Sequence, residues 1–370
     1  MSRPDDRPLR RLKTLEPRKS TLERCVFCPK LCRTACPVSN AEPRETLTPW
    51  GKMSMAYFVA NESVELAPSF AEPAWACTGC FGCREHCDHK NDVAGTLLAA
   101  RAAMMREGVA PGPAKKAIAR FPQMAARNLE GIETLRRRAD VSSDAASALL
   151  VGCTYVTKAN AEAGEAVRAA ALLEGGKIAL AGTCCGLPLL HAGDASGFVE
   201  QAQALAREVR GKRKVLVADG GCAHALRVRY HEHGVNLGTR VEVLVEAAAR
   251  DLGRLKTCGT GADGNVRYHD SCHLGRGLGL YEAPRAVLTR VLGRAPDEFD
   301  DRRDKAVCSG GGGGLPLTMP ETAHQIAEAR VEAAGKSRIV TGCAASLVRM
   351  RKAGAEVDDL STWIARGLAT

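Results

Sequence analysis

Two short cysteine runs near the N-terminus constrain this chain more than any other feature. CVFCPKLCRTACP covers residues 25–37, and CTGCFGCREHCD covers residues 77–88. The N-terminal stretch MSRPDDRPLRRLKTLEPRKS contains no apolar segment, so no secretory signal is expected. In a reducing compartment, clustered cysteines bind metal or carry out redox chemistry more often than they form disulfides. The two runs therefore predict metal or redox sites, not a disulfide scaffold.

The spacing of the cysteines indicates iron–sulfur clusters. The second run has the spacing C-x2-C-x2-C-x3-C of bacterial ferredoxins, in which the fourth cysteine binds the neighbouring cluster. The first run has one extra residue before its third cysteine and keeps the final Cys-Pro. Three thiolates in a tight turn can bind three irons of one cube, while the fourth enters a helix and points at the next cube. We therefore predict two [4Fe–4S] clusters with crossed ligands, namely Cys25, Cys28, Cys32 and Cys87 for the first and Cys77, Cys80, Cys83 and Cys36 for the second.

Zinc is the alternative for part of this cysteine set. The pairs Cys25/Cys28 and Cys77/Cys80 could supply four thiolates to one tetrahedral zinc ion. That interpretation leaves the other four cysteines of the two runs without a role. A purely structural role for these cysteines is the other alternative.

Length and charge limit the remaining possibilities. The chain has 370 residues, 45% of them apolar, which suffices for two or three domains with ordinary cores. It contains no run of about 18 apolar residues, so no membrane-spanning helix is expected. The formal net charge is +10, and each predicted cube with its four thiolates would contribute about −2. We therefore interpret the positive charge as partial compensation for the clusters, and we expect a cytoplasmic protein without a nucleic-acid partner.

From residue 148 onwards the pattern changes to alternating strands and helices. The apolar segments ALLVGC, KIALAG and KVLVAD are predicted as strands, and Ala-rich helices separate them. This alternation is typical of an α/β fold with a largely parallel sheet. Ligands of such sheets bind at the carboxyl ends of the strands. The cysteines that follow these strand ends are Cys153, Cys184, Cys185 and Cys222.

A second copy of this pattern follows the first. The segments VRYHD, DKAV and RIVTG each lead into a cysteine, namely Cys272, Cys308 and Cys343. The separation of 34 residues between Cys185 and Asp219 is repeated between Ser309 and Cys343. We therefore predict an internal repeat with a pseudo-two-fold relation between its copies.

Taken together, these motifs resemble the cysteine-rich CCG domain, whose pattern is C-x(31–39)-C-C-G-x(about 35)-C-x-x-C. That domain occurs twice in the heterodisulfide reductase B subunit. It also occurs twice, behind two ferredoxin motifs, in the reductase's fused membrane-associated relatives, in the glycolate oxidase iron–sulfur subunit and in the C subunit of anaerobic glycerol-3-phosphate dehydrogenase. The segment HDSCHLGRGLGLYEAPRAVL, residues 269–288, is similar to the family's segment around the first cysteine of its second repeat. The resemblance covers residues 22–370.

The resemblance implies an α/β protein that has a small α-helical two-cluster ferredoxin domain and two tandem, pseudo-symmetric α/β CCG domains. Combined with the patterns above, it predicts five parts of the chain. These are a basic arm (1–21), the ferredoxin-type domain (22–100), a helical linker (101–146), CCG domain 1 (147–250) and a degenerate CCG domain 2 (264–370).

In the heterodisulfide reductase B subunit each repeat holds a non-cubane [4Fe–4S] cluster with five cysteines. The resemblance therefore implies a third, non-cubane cluster in the first repeat. Its candidate ligands are Cys153, Cys184, Cys185, Cys222 and Asp219, which stands where the family has its fifth cysteine.

The second repeat departs further from the family pattern. It keeps Cys272, Cys308 and Cys343 as candidate ligands, but Ser309 and Ser346 replace two family cysteines. A serine hydroxyl is a poor iron ligand because it loses its proton only far above neutral pH. We expect a degenerate site that is kept for its fold, with a smaller cluster on three thiolates as the alternative.

The function implied by the resemblance is electron transfer. The chain would be an iron–sulfur subunit of a flavin-linked dehydrogenase or a heterodisulfide reductase-like complex, passing electrons through two [4Fe–4S] clusters to or from a CCG-domain centre. A flavoprotein partner is expected, and attachment to the inner face of the membrane through a partner is an alternative to a purely cytoplasmic location. Two other functions stay open, a self-contained disulfide or sulfur-compound oxidoreductase acting at the first CCG site and a non-enzymatic iron–sulfur sensor. No catalytic acid, base or nucleophile stands out from the sequence.

Overall fold

The computed structural model describes residues 7–30, 32–258 and 265–369. Residues 1–6 of the predicted basic arm, residue 264 at the predicted start of the second repeat and Thr370 lie outside the described residues. The chain divides into two compact units. The N-terminal unit comprises Met1–Phe121, Pro188–Ala195 and Val307–Arg330, and the repeat unit comprises Pro122–Leu187, Ser196–Ala306 and Val331–Thr370.

The N-terminal unit consists of short helices joined by tight turns. Its α-helices are Lys19–Val26, Pro37–Ala41, Pro49–Ala60, Pro68–Ala71, Gly82–Glu85, Val93–Arg106 and Leu315–Thr318, and its 3-10 turns are Lys13–Arg18, Arg33–Ala35, Glu45–Leu47 and Glu72–Ala76. Side-chain caps fix where the longer helices begin. Thr48 Oγ1 accepts the Gly51 N–H at 3.0 Å, and Asp92 Oδ1 accepts the Gly95 N–H at 3.0 Å. These caps define the starts of the helices Pro49–Ala60 and Val93–Arg106.

Two apolar cores hold this unit together. The larger one includes Met53, Trp75 and Leu97, and it also buries Leu9 and Leu15 of the predicted basic arm. The smaller one packs Cys36, Val38 and Leu47 against Leu315, Met319 and Ile326. Segment Val307–Arg330, although distant in sequence, is therefore part of the N-terminal unit because its apolar face is buried there.

The helices of the repeat unit alternate with strands, as predicted. Four further helices begin in one unit and end in the other, namely Gly112–Arg136, Leu187–Ala192, Ala195–Glu208 and Pro320–Ala334. The α-helices of the repeat unit are Cys153–Lys158, Asn160–Leu173, Gly220–His224, Tyr230–Glu232, Leu244–Arg250, Glu282–Leu292, Ala344–Lys352 and Leu360–Ala369. Two π-helical turns, Ala225–Arg229 and His273–Gly277, and two 3-10 turns, Leu252–Arg254 and Arg303–Lys305, complete them.

Among the described residues, the repeat unit contains two four-stranded parallel sheets. Their strands are β1 (Ser147–Leu150), β2 (Ala179–Leu180), β3 (Lys214–Val217), β4 (Arg240–Val243), β5 (Val266–His269), β6 (Asp297–Glu298), β7 (Arg338–Thr341) and β8 (Val357–Asp359). The first sheet has the order β2-β1-β3-β4 and the second β6-β5-β7-β8, which is the same order in both halves. The central strand β1 is buried along its whole length, as expected for a parallel sheet covered on both faces. The predicted α/β fold with tandem repeats is confirmed.

The two repeats exchange their final helices. Leu244–Arg250, which follows β4 of the first repeat, packs on Glu282–Leu292 of the second repeat. In return, Leu360–Ala369 of the second repeat packs on Asn160–Leu173 of the first repeat. Each repeat therefore completes the apolar cover of the other.

Some details differ from the predicted strands. KIALAG contains only the two-residue strand β2, and DKAV lies at the 3-10 turn Arg303–Lys305 instead of in a strand. The edge strands β6 and β8 were not predicted because they are short and carry acidic residues. Within the described part of the chain, no helix is long and apolar enough to cross a membrane.

Candidate metal centres

Five cysteine thiols of the N-terminal unit line one cavity, recess 1. They are Cys25, Cys28, Cys32, Cys83 and Cys87. The helix Lys19–Val26 carries Cys25, and the turn that follows this helix carries Cys28 and Cys32. The recess is partly open to solvent.

The thiols of recess 1 influence one another electrostatically. Burial raises the pKa of Cys25 to about 12, the hydrogen bond from Asn91 opposes this shift, and the nearby thiols of Cys32 and Cys87 add to it. Asn91 Nδ2 lies 2.9 Å from Cys25 Sγ and also donates to the Thr21 carbonyl. Burial likewise raises the pKa of Cys32 to about 11. Without a metal these thiols are protonated at neutral pH, so metal binding must release protons.

A second cavity, recess 2, lies beside the first. Its thiols are Cys36, Cys77, Cys80 and Cys83. Cys83 and Val93 line both recesses. Burial raises the pKa of Cys83 well above its ordinary value, followed by the effects of Cys77 and Cys80, so its strongest thiol neighbours belong to recess 2.

Recess 2 is flanked by two buried cations. Lys52 is 2% exposed, and its Nζ lies 3.4 Å from Cys36 Sγ. Arg101 is 1% exposed, and its guanidinium donates to the carbonyls of Ala74, Cys77, His191 and Gly313 at 2.6–2.9 Å. Burial raises the pKa of Cys77, and the charges of Lys52 and Arg101 oppose that shift. Both cations therefore favour negative charge in this recess.

The five-glycine run 310–314 lies against the second cysteine run. A Cβ at Gly313 would lie 2.1 Å from the Cys77 carbonyl oxygen, and its φ is +65°. Only glycine fits both the close approach and this backbone conformation. The run therefore passes directly behind the second cysteine run, whose Cys77 and Cys80 line recess 2. Cys308, just before the run, accepts the Gly310 N–H at 3.4 Å.

In the repeat unit, four thiols of the first repeat form a continuous chain of contacts, the thiol quartet. Its members are Cys153, Cys184, Cys185 and Cys222. Cys185 Sγ and Cys222 Sγ are 3.4 Å apart. The quartet follows the ends of β1, β2 and β3, as expected for a ligand site at the carboxyl edge of a parallel sheet. Tyr230 Oη donates to the Cys185 carbonyl at 3.1 Å and closes one side of the site.

Asp219 has a structural role that the sequence did not indicate. Its Oδ1 accepts the N–H groups of Gly221 and Cys222 at 2.8 and 3.0 Å, so it caps the helix Gly220–His224. Its Oδ2 accepts the Ala344 N–H of the second repeat at 2.8 Å. Burial raises its pKa despite these three donors. The carboxylate therefore links the two repeats beside the quartet.

The second repeat retains its framework with fewer thiols. Burial raises the pKa of Cys343 to about 12, followed by the effect of Asp219, and the Ser346 hydroxyl hydrogen-bonds to this thiol. Arg285, within the segment that resembles the family, makes two 2.8 Å bonds to the Asp270 carboxylate. This buried pair holds the segment around Cys272 in place. Ser309 is buried in the N-terminal unit together with Cys308.

Two histidines connect the repeats near these cysteines. His224 follows Cys222 by two residues, and His273 follows Cys272 directly. Their rings stack with centroids 4.9 Å apart and planes inclined by 13°. Burial lowers the pKa of His273 to about 4, with Arg229 and Arg276 contributing, so this ring is neutral at physiological pH.

The donor sets of both recesses fit an iron–sulfur cofactor better than a single ion. In residues 7–30, 32–258 and 265–369, no three Cys, His, Asp or Glu side chains converge on one ion. The pairs Cys25/Cys28 and Cys77/Cys80 of the zinc alternative line different recesses. A cube binds its thiolates through different irons and so spreads them farther apart. A buried ammonium beside a sulfur also suits an anionic cluster.

Family comparisons agree with these sites. Residues 21–91 match the 4Fe-4S dicluster domain. Residues 147–227 and 266–349 each match the cysteine-rich domain CCG. The first match contains both cysteine runs, and the other two contain the strands that lead into the repeat cysteines.

Curated relatives point the same way. The B subunit of fumarate reductase (CoM/CoB) from Methanothermobacter marburgensis is 26% identical over 318 residues, 84% of this chain and 63% of that protein, so the match spans less than two thirds of it. The D subunit of dihydromethanophenazine:CoB–CoM heterodisulfide reductase from Methanosarcina barkeri is 26% identical over 345 residues, 84% of this chain and 83% of that protein. Its counterpart in Methanosarcina acetivorans is 31% identical over 204 residues, 50% of this chain and 49% of that protein. No solved structure matches significantly.

Fold, thiol sites and domain matches together define an iron–sulfur electron-transfer protein. More particularly, the chain is related to the heterodisulfide reductase iron–sulfur subunits, as the sequence motifs predicted.

Three polar residues of these sites were missed by sequence reasoning, namely Lys52, Arg101 and Asn91. Two of them carried a signal. Lys52 is the lone charge in the helix PWGKMSMAYFVA, and Arg101 interrupts the apolar run VAGTLLAARAAMM. A single cation inside an apolar helix near thiolate ligands indicates a buried counter-charge.

Proposed function

We propose that this protein carries electrons between a redox partner, a flavoprotein by preference, and a centre in the first cysteine-rich repeat. Two [4Fe–4S] clusters form the path, with Cys25, Cys28, Cys32 and Cys87 binding one and Cys36, Cys77, Cys80 and Cys83 binding the other. Such clusters supply one-electron redox chemistry. The observation that carries the proposal is the grouping of eight thiols into two adjacent recesses that share Cys83 and Val93.

Recess 1 is the proposed point of contact with the partner. Cys28 and Cys32 are half-buried, and the neighbouring Phe27 is 76% exposed. An exposed aromatic beside a partly exposed ligand suits transient docking of a redox protein. The names of the relatives, which describe subunits of reductases, support a partner of this kind.

Iron and acid-labile sulfide counts on anaerobically purified protein, with EPR before and after dithionite, test the proposal. We expect about eight irons per chain for two cubes and about twelve if the first repeat also holds a cluster. Crossed ligation adds a sharper test. Cys36→Ala and Cys77→Ala should abolish one EPR signal, and Cys32→Ala and Cys87→Ala the other. If Cys36→Ala instead abolished the signal lost in Cys32→Ala, the crossed assignment would be wrong.

The contact between Cys185 and Cys222 favours a second candidate function. Two thiols 3.4 Å apart at a strand edge could take part in cleaving a disulfide substrate. The reaction consumes two electrons and two protons and yields two thiols, with the electrons arriving singly through the clusters. Turnover of a small disulfide with reduced viologen as donor, without any partner protein, would support it. Loss of that turnover in Cys185→Ala, with iron in the recesses intact, would assign it to the quartet.

A further inference from the structure

Recess 1 and recess 2 have the same kind of thiol ligands but different charges around them. The lining of recess 1 includes Arg24, Lys30 and His89, and that of recess 2 includes Lys52. No Asp or Glu appears among the described residues that line either recess. The difference therefore depends on how deeply the cations are buried.

Cations of recess 1 lie at its water-exposed rim. Arg24 is exposed, and the Lys30 side chain is 37% exposed. Lys30 also shares its charge with Glu45, 3.4 Å away, and lies over the Trp50 ring at 3.9 Å. Water, salt and the carboxylate screen these charges, so they change the potential of a bound cluster only weakly.

Both cations of recess 2 are enclosed by protein. Lys52 has no carboxylate partner among the described residues, and its ammonium points at Cys36 Sγ. Arg101 bonds only to carbonyl oxygens there, one of them that of the ligand-run residue Cys77 at 2.6 Å. An unpaired buried charge is costly, so two of them beside one recess require a compensating anion. An anionic cluster in recess 2 supplies it.

We propose that Lys52 and Arg101 make the cluster of recess 2 the preferred electron acceptor of the pair. This inference rests on the proposed function, because it assumes a cluster in each recess. Reduction adds one negative charge to a cluster. Two enclosed cations stabilise that charge more than exposed ones do, because the low dielectric of the interior preserves the attraction. An electron that enters at recess 1 therefore moves on to recess 2.

A redox titration followed by EPR tests the inference, with each signal assigned by its loss in Cys36→Ala or Cys87→Ala. In the unmodified protein, the recess 2 cluster should have the higher midpoint potential. Lys52→Met, which keeps the length and removes the charge, should shift the electron distribution toward recess 1 at least tenfold, about 59 mV for one electron. Lys30→Met is the matched control and should shift it less than twofold. Lys52→Arg, which keeps the charge, should restore most of the difference.

The salt dependence of the midpoint potentials is a second test, and it uses the unmodified protein. Raising the ionic strength should shift the midpoint potential of the cluster in recess 1, because the cations there are exposed. The midpoint potential of the cluster in recess 2 should stay nearly constant. A recess 2 midpoint at or below that of recess 1, or an unchanged midpoint in an iron-replete Lys52→Met protein, would overturn the inference. An iron content far below eight in the unmodified protein would instead overturn the proposed function, so the two failures are distinguishable.

Discussion

Recess 2 and the thiol quartet each bring four cysteine thiols together, but the charges buried beside them are opposite. Lys52 and Arg101 flank recess 2, whereas the Asp219 carboxylate lies beside the quartet. The pKa of Cys153 is raised by its hydrogen bond with Cys184, by burial and by Asp219. In recess 2 the two cations act on Cys77 in the other direction. Equal numbers of thiols therefore do not imply equal affinity for an anionic cluster.

Removing one thiol from each set gives the largest expected difference. Cys77→Ala should lose about four irons and the recess 2 EPR signal, because a cube with three thiolates in a buried site is labile. Cys185→Ala should lose only iron in excess of eight. Iron and sulfide analysis of both variants measures this, with Cys258→Ala, outside both sets, as the control. Full iron retention in Cys77→Ala would remove recess 2 from the comparison.

Removing the buried guanidinium of Arg101 beside recess 2 should lower the stability of the protein. Arg101→Met leaves four buried carbonyl groups without their donor, and we expect a loss of about 3–5 kcal/mol in the free energy of unfolding. Denaturant unfolding under anaerobic conditions measures it. Arg120→Met, at an exposed position, should change stability by less than about 0.5 kcal/mol. Similar stability of both variants would show that the guanidinium is not a structural clamp.

Backbone packing behind recess 2 can be tested with a pair of glycines. Gly313 and Gly335 have φ values of +65° and +61°, but only Gly313 has neighbours where a Cβ would lie. Gly335→Ala should cost about 1 kcal/mol for the backbone conformation alone, and Gly313→Ala about 2–3 kcal/mol more because of the Cys77 carbonyl. Thermal unfolding gives the stabilities, and EPR should show a change only in the recess 2 signal. Equal losses of stability in Gly313→Ala and Gly335→Ala would show that the glycine run can move away from the Cys77 carbonyl without strain.

The smallest predicted effect is a pH dependence of the stability, and it comes from the buried carboxyl group of Asp359. Burial raises the pKa of Asp359 to about 6, while bonds from Ser361 and Tyr155 oppose the shift. The folded state therefore binds this proton more tightly than the unfolded state, whose Asp has a pKa near 3.9. Its contribution is complete below about pH 4 and is lost as pH rises through about 6.

Between pH 5 and pH 8 this loss amounts to about 1 kcal/mol in the free energy of unfolding. The difference between the parent protein and Asp359→Asn should therefore change by that amount over this range. Asp300→Asn, at an exposed position, should leave the difference constant. A pH-independent difference for Asp359→Asn would show that this carboxyl titrates normally.

Much of the fold followed from local patterns. Apolar segments such as ALLVGC and KVLVAD predicted β1 and β3, since a buried parallel strand is a short apolar run. The equal separation from Cys185 to Asp219 and from Ser309 to Cys343 predicted the repeat. The edge strands β6 and β8 were not predicted, because they are short and acidic and therefore show no hydrophobic periodicity.

The candidate sites could be predicted where the ligands lie close together in the sequence. They could not be predicted where a buried charge belongs to a residue that is distant in the sequence. The cysteine runs indicated clusters because ligand spacing within one turn is a covalent constraint. By contrast, the positions of the buried cations depend on which helices pack together. The bond from the Ala344 N–H to Asp219 likewise depends on the packing of the two repeats. A glycine run such as 310–314 is typical of a close backbone approach, but only the fold shows that this run contacts Cys77.

The exchange of final helices between the repeats has a consequence for biosynthesis. Asn160–Leu173 leaves the ribosome long before Leu360–Ala369, the helix that covers it. At typical elongation rates of ~5–20 residues per second, the wait is about 10–40 s. During that time the first repeat has an uncovered apolar flank and a set of reduced thiols. The first repeat can therefore complete its apolar packing only after the second repeat has been translated, so the two repeats reach their final fold together.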